Sequence, residues 1–358
     1  MKRSVKKIWI CSDVWMNILP FFGRPQLGLK MALLSPRFDA LVDAHFDGKT
    51  EFTLWNAITI RMDTEMPKLF VDGKFEEFSV PDYPLPNKIR FRLLLIEYID
   101  HSVISFLRSN QQIWDRSGTK LEMFVRSDKP TDVQQPIWDV FVPEIWPIFS
   151  ANIRHLGFTN AEHLDNLRRR TSPTILTDLD QLSSINSSVL CPDIIADDGP
   201  NAISAGQALS KWLHTPTTNG QPKRLSCWAN SYQPNLKWIT NFKETFSRAT
   251  VSASYKIRFG VYGTPIEPFE LMNKQTKEKL ALSKESKFNW TMKRCSINGK
   301  TAAIQRENDE NSDANLNNVL FHLHISKNPI GPLSPPADKS DKNVCSSAEG
   351  PSSDQRNE

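Results

Sequence analysis

The chain has 358 residues, of which 39% are hydrophobic, and it includes 10 Trp and 20 Phe, enough for roughly two or three folded units with sizeable cores. Its 44 basic and 40 acidic residues give a net charge of +4, a balance that argues against a protein held on nucleic acid by bulk electrostatics. Its five cysteines are scattered and form no C-x-x-C pair, which favours reduced thiols over a disulfide framework or a zinc site.

The first residues have some features of a secretory signal. Basic residues 1–7 precede an apolar run, but Ser12, Asp13 and Asn17 interrupt that run and no small-residue cleavage site follows Phe22. No run approaches the ~20 apolar residues that span a bilayer. The sequence therefore predicts a cytoplasmic or nuclear protein with no signal peptide and no membrane association.

Residues 8–48 have the spacing of three short helices. Ser12 is the predicted N-cap of the first, Pro25 begins the second, and Ser35-Pro36 is an N-cap followed by a proline at the first position of the third. Six apolar residues of the first helix recur on one stripe: Ile10, Val14, Trp15, Ile18, Leu19 and Phe22. So small a unit cannot bury this much apolar surface by itself, so we expect another surface to complete it.

This segment resembles an F-box, the helical module by which substrate receptors dock onto the Skp adaptor of Skp–cullin–F-box ubiquitin ligases. Asp13 stands where the F-box acid falls, Ile18-Leu19 and Phe21-Phe22 follow in register, and Ile10-Cys11 takes the place of the usual Leu-Pro. Residues 33–38, LLSPRF, are similar to the later Val-Ser-Lys-Arg-Phe turn. The resemblance implies adaptor docking by Ile10, Val14, Trp15, Ile18, Leu19, Leu29, Leu33 and Phe38.

The wider pattern is similar to the nematode F-box protein families, which carry an F-box-associated C-terminal region. The phrases GQALSKWLH (206–214) and PFELMNK (268–274) carry this likeness, which covers roughly residues 8–297. It implies a non-catalytic substrate receptor that reaches cullin through the Skp adaptor and presents an unknown protein substrate. Two alternatives stay open: a terminal helical subdomain packed on its own chain, and a scaffold that uses the helices for self-assembly or another partner.

Residues 89–297 alternate between strand and helix patterns roughly every thirty residues. This rhythm predicts an irregular α/β or α+β domain, favoured here as leucine-rich-repeat-like, with a doubly wound sheet as the alternative. The predicted strands are 91–96, 121–125, 153–158, 182–185, 225–228 and 255–261, and antiparallel strands in 269–292 close the array. The predicted helices are 101–114, 137–149, 161–170, 203–213 and 238–246.

The segments that flank this domain read differently. Residues 49–88 read as a connector with one strand near Ile58. Residues 298–358 are rich in Asn, Asp, Pro, Ser and Lys, which predicts a mostly disordered tail that can be removed from Pro329 onward. Within that tail, residues 319–325 alternate like an isolated strand.

The sequence carries no catalytic motif. A Gly-rich phosphate loop, a G-x-S-x-G elbow and an H-E-x-x-H helix are all missing, so we predict a non-enzyme without cofactor or metal. His322 and His324 would share a strand face, as a metal pair or an incidental one. His214 reads as a charge at a helix C-terminus, and His101 follows Asp100 at a helix start, where capping is the ordinary interpretation.

Several polar or aromatic groups have a structural and a functional interpretation. Asp178 with Asp180, and Asp197 with Asp198, are predicted caps or loop residues. Arg168-Arg169-Arg170 ends a helix, where cations suit the dipole, or forms a binding patch. The interleaved residues Lys237, Trp238, Phe242 and Lys243 suggest a single-stranded nucleic-acid binder, and the balanced charge of the chain argues against it.

Overall fold

A computed structural model describes eleven stretches up to residue 228 and four beyond it. These are residues 10–23, 26–46, 52–64, 66–71, 77–85, 89–115, 119–125, 131–188, 190–193, 204–217, 220–228, 237–261, 265–297, 319–325 and 330–333.

The N-terminal module is helical, as predicted. Helix α1 (Ser12–Ile18) runs into a 3-10 turn (Leu19–Phe21), and a π-helical turn (Leu27–Met31) runs into a second 3-10 turn (Ala32–Leu34) before helix α2 (Pro36–His45). Ser35 caps α2 by accepting a hydrogen bond from the Phe38 N–H at 3.4 Å, which confirms that N-cap. The predicted cap of the first helix is wrong, because Cys11 takes the N-cap position and makes no side-chain bond there. Pro25 lies outside the described residues.

The rest of the chain forms strands joined by helices. The strands are β1 Phe52–Asp63, β2 Met66–Val71, β3 Glu77–Ser79, β4 Ile89–Ile96, β5 Thr119–Val125, β6 Ile153–Phe158, β7 Ser184–Ser187, β8 Lys223–Trp228, β9 Tyr255–Gly260, β10 Phe269–Asn273, β11 Glu278–Lys284, β12 Asn289–Ser296 and β13 Val319–Ile325. The helices are α3 His101–Ser109, α4 Gln111–Asp115, α5 Thr131–Val140, α6 Trp146–Phe149, α7 Ala161–Arg170, α8 Ile175–Asp178, α9 Ala205–His214 and α10 Lys237–Arg248. The mixed α/β prediction is confirmed.

The predicted alternation survives with small changes of boundary. The helix expected over 101–114 breaks at Asn110, whose buried side chain accepts from the Leu85 N–H at 2.7 Å and donates to the Phe106 carbonyl at 2.7 Å. The helix expected over 137–149 is divided into α5, a π-helical turn (Phe141–Ile145) and α6. Pro143 and Pro147 fall in this stretch, where they cannot donate to the helical ladder.

All thirteen strands of the described residues belong to one sheet, in the order β10-β11-β12-β9-β8-β7-β6-β5-β13-β4-β1-β2-β3. The strands from β9 to β1 in that order are parallel, with antiparallel strands at both edges. From β4 to β9 they follow chain order in one direction, interrupted only by β13. A doubly wound sheet would reverse that order, so the topology excludes this alternative.

The segment 49–88, predicted as a connector with one strand, is part of the sheet. It supplies β1, β2 and β3. The parallel pairing of β1 with β4 joins these strands to the array, with Ile58 opposite Leu94. The connector interpretation is therefore wrong, because backbone pairing with β4 makes this segment an edge of the same sheet.

The prediction of a mostly disordered tail is wrong for two segments. Strand β13 is not isolated: it lies between β4 and β5 and pairs in parallel with both. Beyond it, Ile330 forms a β-bridge with Ile99, and the Gly331 N–H donates to the Ile99 carbonyl at 2.8 Å. The rest of residues 298–358 lies outside the described part of the chain.

The sheet has one apolar face. On six neighbouring strands, residues in register are at most 2% exposed: Leu121, Leu156, Ile185, Leu225, Ile257 and Met292. Helices α9 and α10 cover this face, because the His214 ring lies 5.5 Å from Tyr255 and the Trp238 ring 5.0 Å from Phe259. Crossovers between parallel strands are right-handed, so strands in chain order place their helices on one side.

Candidate partner-binding surface

The N-terminal module exposes large apolar side chains. Val14 is 45% exposed, Phe21 88%, Phe22 38% and Leu34 63%. These four, the exposed apolar set, lie between residues 14 and 34, yet they are four of the eleven exposed large apolar residues in the described chain. Scattered apolar residues on a surface are ordinary, whereas their concentration in one small module makes that module the candidate site for partner binding.

The inner side of the module packs on the chain itself. Leu19 is 0% exposed and Leu29 6%, and both belong to the same hydrophobic cluster as the core of the sheet. The Lys30 ammonium lies 5.0 Å from the ring centroid of Phe78 on β3, a cation–π contact. The sheet therefore completes one side of the module, as the alternative of a subdomain packed on its own chain expects, while the exposed apolar set stays uncovered by the chain.

The eight residues predicted for adaptor docking are divided by the structure. Leu19 and Leu29 are buried in the core, so they support the module rather than present themselves to a partner. The Trp15 and Phe38 rings meet edge to face, 4.8 Å between centroids, and join α1 to α2. Three more are partly exposed: Ile10, Ile18 and Leu33. Val14 alone of the eight is exposed.

Sequence reasoning left Phe21, Phe22 and Leu34 out of the docking residues. The predicted apolar stripe continues through residue 22 on the assumption of about 3.6 residues per turn. The backbone instead tightens to a 3-10 turn over Leu19–Phe21. With about 3.0 residues per turn, the facing of the side chains changes, so Leu19 points inward and Phe21 outward. Pro20 in this segment was the available signal.

The Arg37 guanidinium ties the start of the module to α2. Its Nη2 donates to the Ile10 carbonyl at 2.5 Å. Ile10 stands where the F-box resemblance places leucine, and this bond holds the residue beside α2.

His214 is a structural side chain, and its predicted role as a helix-terminal charge is wrong. Its Nδ1 lies 2.7 Å from the Ser210 carbonyl, and burial lowers the pKa of the ring to about 4, so it is uncharged at neutral pH. Lys223 supplies the cation at this end of α9, donating to the carbonyls of Trp212 at 2.5 Å and Thr215 at 2.7 Å. Burial lowers the pKa of Lys223 to about 8.

The arginines that end α7 are engaged within the chain. Arg168 is 6% exposed and bonds to Asp165 at 3.0 Å and to the Pro173 carbonyl at 3.2 Å. Arg169 donates to Asn166 at 3.2 Å, and Arg170 donates to Asp139 at 3.0 Å. These contacts support the helix-end interpretation over a binding patch.

The aromatic residues of the nucleic-acid alternative lie in the core. Trp238 is 3% exposed and Phe242 2%, and they pack on Phe259 and Tyr255 of β9. Buried rings cannot stack on bases, so this interpretation fails for α10.

The remaining polar candidates have ordinary roles or lie partly outside the described residues. Asp100 caps α3, accepting from the Ser102 and Val103 N–H groups at 2.9 and 3.0 Å, as its position predicts. Asp178 accepts from the Ser172 and Thr174 hydroxyls at 2.9 Å. Asp180 is exposed, while Asp197 and Asp198 lie outside the described residues.

The two histidines of β13 are placed by backbone register alone. His322 is opposite Glu122 and His324 opposite Phe124. Among the described residues, no group of three metal-binding side chains comes together. The helices of the described ranges also include none that is long and apolar enough to cross a membrane.

Comparison with protein-family models, with curated proteins and with solved structures found no match. The likeness of the N-terminal segment to an F-box therefore rests on its own residues.

Buried His163 should make stability depend on pH. The side chain is 1% exposed and burial lowers its pKa to about 4, below the unfolded value. Between pH 6.5 and 4 the unfolded chain thus binds a proton that the native chain does not, and the free energy of unfolding falls as pH drops, by about 2 kcal/mol between about pH 7 and pH 5. Urea unfolding at several pH values measures this change.

The matched variant for this measurement is His163→Gln, which keeps a polar side chain but cannot titrate. We expect its unfolding free energy to fall less steeply with pH than that of the wild type over the same window. Equal slopes for the two proteins would contradict the assignment.

Proposed function

We propose that this chain is the substrate-recognition subunit of a Skp–cullin–F-box ubiquitin ligase. The exposed apolar set on F-box-like helices carries the proposal, because burying such side chains under a partner lowers the free energy of the complex. Fully burying one is worth about 1.5–3 kcal/mol. The Skp adaptor is the partner that the resemblance implies, and cullin is reached through it, in the cytoplasm or nucleus.

The strand–helix domain would hold the protein substrate. Its parallel strands in chain order are what stacked repeats produce, and we propose a leucine-rich-repeat-like array on this basis. The chain would contribute proximity: by holding the substrate beside a charged conjugating enzyme it raises the effective concentration of the two reactants without a catalytic side chain.

A pull-down with the purified Skp adaptor tests the proposal. We expect wild-type protein to capture the adaptor and Phe21→Asp with Leu34→Asp to reduce capture at least about tenfold, since charge would enter an apolar interface. These positions suit the test because both side chains are exposed, whereas aspartate at Leu19 would disturb the core.

The control is Val251→Asp with Met272→Asp, which alters side chains of similar exposure, 59% and 55%, outside the module. It should capture the adaptor like the wild type. Failure of the wild type to bind the adaptor would refute the proposal. Size-exclusion chromatography tests the alternative. If the wild-type chain forms oligomers and the variant with Phe21→Asp and Leu34→Asp is a monomer, the helices serve self-assembly.

A further inference from the structure

Two cysteines meet near the carboxyl ends of β7 and β8. Cys227 lies on β8 opposite Ser187, the last residue of β7, and is 0% exposed. Cys191 follows β7 in the chain, is partly exposed, and accepts a hydrogen bond from the Cys227 thiol. We call Cys191 and Cys227 the thiol pair. Both cysteines are free, so the structure shows the reduced form of the pair.

The segment that carries the first of these thiols, residues 190–193, is held at both ends. At its start, the Leu190 N–H donates to Ser187 Oγ at 2.9 Å. At its end, the Asp193 N–H donates to the Gly206 carbonyl of α9 at 3.1 Å. Between these bonds the backbone is neither helix nor strand, so a small shift moves the thiol without breaking a ladder of the sheet.

Helix α9 lies close against this segment. A Cβ at Gly206 would meet the Asp193 Cβ at 2.9 Å and the Cys191 carbonyl oxygen at 3.0 Å, nearer than side chains normally come. The Ser210 hydroxyl of α9 also donates to the Asp193 carbonyl at 2.5 Å. A covalent bond from Cys191 to β8 would therefore tie that strand to the segment and, through the segment, to the start of α9.

The two thiols differ in reactivity and in access. The hydrogen bond from Cys227 outweighs burial and lowers the pKa of the Cys191 thiol. The same hydrogen bond and burial raise the pKa of the Cys227 thiol well above its usual value. The thiolate is the form that reacts with an oxidant, and the oxidant has to reach it. Cys191 meets both conditions, and Cys227 beside it is the second thiol that a reversible disulfide needs.

We propose that the thiol pair is a redox switch: hydrogen peroxide oxidises Cys191, and Cys227 then closes a reversible disulfide that locks residues 190–193 onto β8. The Cys191 thiolate attacks one peroxide oxygen, the O–O bond breaks, and the other oxygen leaves as hydroxide, which gives a sulfenic acid. The Cys227 sulfur then attacks the Cys191 sulfur. The S–S bond forms, the S–O bond breaks, and the hydroxyl group leaves with the Cys227 proton as water. Two thiols are oxidised, and one peroxide is reduced to two waters.

The switch goes beyond the proposed function and does not depend on it, because no residue of the N-terminal module takes part. In the cytoplasm or nucleus, where we propose that this chain acts, thiols are kept reduced and disulfides are mostly transient, catalytic or redox-sensing. A bond that opens and closes with the supply of peroxide suits such a compartment, whereas a permanent structural disulfide does not.

Peptide mapping of the full chain tests the proposal. Trypsin, which cleaves after Lys and Arg, places the two cysteines on separate peptides, residues 171–211 and 225–237. After brief treatment with hydrogen peroxide, we expect these peptides to be joined in the non-reduced digest and to separate again after dithiothreitol. We also expect the closed bond to raise the thermal midpoint by a few degrees, because it closes a long loop of the unfolded chain.

Single variants test the order of the two steps. In Cys227→Ser the sulfenic acid of Cys191 has no second thiol, so dimedone, which labels sulfenic acids, should label Cys191 at least about tenfold more than in the wild type. In Cys191→Ser, Cys227 should stay unlabelled. The matched control is Cys295→Ser, which changes another buried thiol, 8% exposed, and should form the 191–227 link like the wild type. A labelled Cys227 in Cys191→Ser would overturn the proposed order.

The wild-type digest decides the proposal even if a variant folds poorly. Absence of the joined peptides, with Cys191 unmodified or oxidised to the sulfinic acid, would overturn it. Links that run only between chains through the exposed Cys11, or a bond that dithiothreitol does not reopen, would do the same. A thermal midpoint lowered by oxidation would show that the bond strains the fold instead of locking it. None of these results would bear on the adaptor pull-down.

Discussion

A chain that ends at Asn318 will lose cooperative folding, whereas one that ends at Leu333 will unfold like the full-length protein. The difference between them is β13, which pairs in parallel with β4 at four positions and with β5 at seven. Its removal takes a strand from the interior of the sheet and leaves the ladders of both neighbours unpaired. Each unsatisfied backbone group costs about 1–3 kcal/mol when buried, so several of them exceed the ~5–15 kcal/mol by which a domain is stable.

The chain that ends at Asn318 also lacks two hydrogen bonds that hold residues 331–332 against the start of α3. The His101 N–H donates to the Pro332 carbonyl at 3.0 Å and the Gly331 N–H to the Ile99 carbonyl at 2.8 Å. We therefore place the boundary of the dispensable tail after Leu333 rather than at Pro329. A protein that ends at Ser326 keeps β13 but lacks these two hydrogen bonds. Its thermal midpoint therefore separates the contribution of the strand from that of the hydrogen bonds.

Circular dichroism and urea unfolding measure this result. A milder variant is Leu323→Pro, which removes one ladder hydrogen bond inside the sheet and should cost about 3 kcal/mol or more. Ser340→Pro, beyond the described residues, is the matched control and should change little. A protein ending at Asn318 with the cooperativity and midpoint of the full chain would show that β4 and β5 pair directly, against the position given to β13.

Glu278→Ala will lower the free energy of unfolding by about 3–5 kcal/mol, because it leaves the Arg294 guanidinium buried without its partner. Arg294 Nη2 lies 2.7 Å from Glu278 Oε2, and the two side chains are 1% and 3% exposed. The other carboxylate oxygen accepts from the Ser252 hydroxyl at 2.5 Å and the Ala253 N–H at 3.0 Å. The pair thus joins β11 and β12 to the chain between α10 and β9.

The ionisation of Glu278 contributes in the same direction. Burial by itself would raise its pKa, but hydrogen bonds from Ser252 and Arg294 and the charge of Arg294 outweigh burial and hold the pKa below its usual value. A carboxylate with a depressed folded pKa contributes stability above its unfolded pKa of about 4.3 and loses it as pH falls through the folded pKa. The difference between wild type and Glu278→Ala should therefore shrink at acid pH.

Chemical denaturation of matched variants tests the buried pair. Lys279 neighbours Glu278 on β11 and forms a more exposed ion pair with Glu270 of β10 at 3.5 Å. Lys279→Ala breaks that pair and should cost no more than about 1 kcal/mol. Glu278→Leu with Arg294→Met should be less damaging than Glu278→Ala, since no charge is left unpaired. A loss for Glu278→Ala as small as that for Lys279→Ala would contradict the assignment.

The sequence by itself determined the local elements of this protein. Apolar residues at helical spacing define α7 over Ala161–Arg170 with the predicted bounds, and alternating residues define β6 and β9 nearly as predicted. These elements depend on side-chain periodicity within one segment, which is fully present in the sequence. The F-box likeness of the first helices is also local, and adaptor binding remains a prediction.

Only the tertiary structure decided which segments meet. Alternation predicts that residues 319–325 form a strand, but its place between β4 and β5 depends on pairing with residues about two hundred positions away. The same holds for Glu278 beside Arg294, which come from neighbouring strands, β11 and β12. Long-range pairing leaves no periodic trace in the sequence, because register is set by the neighbouring strand and by which face is buried.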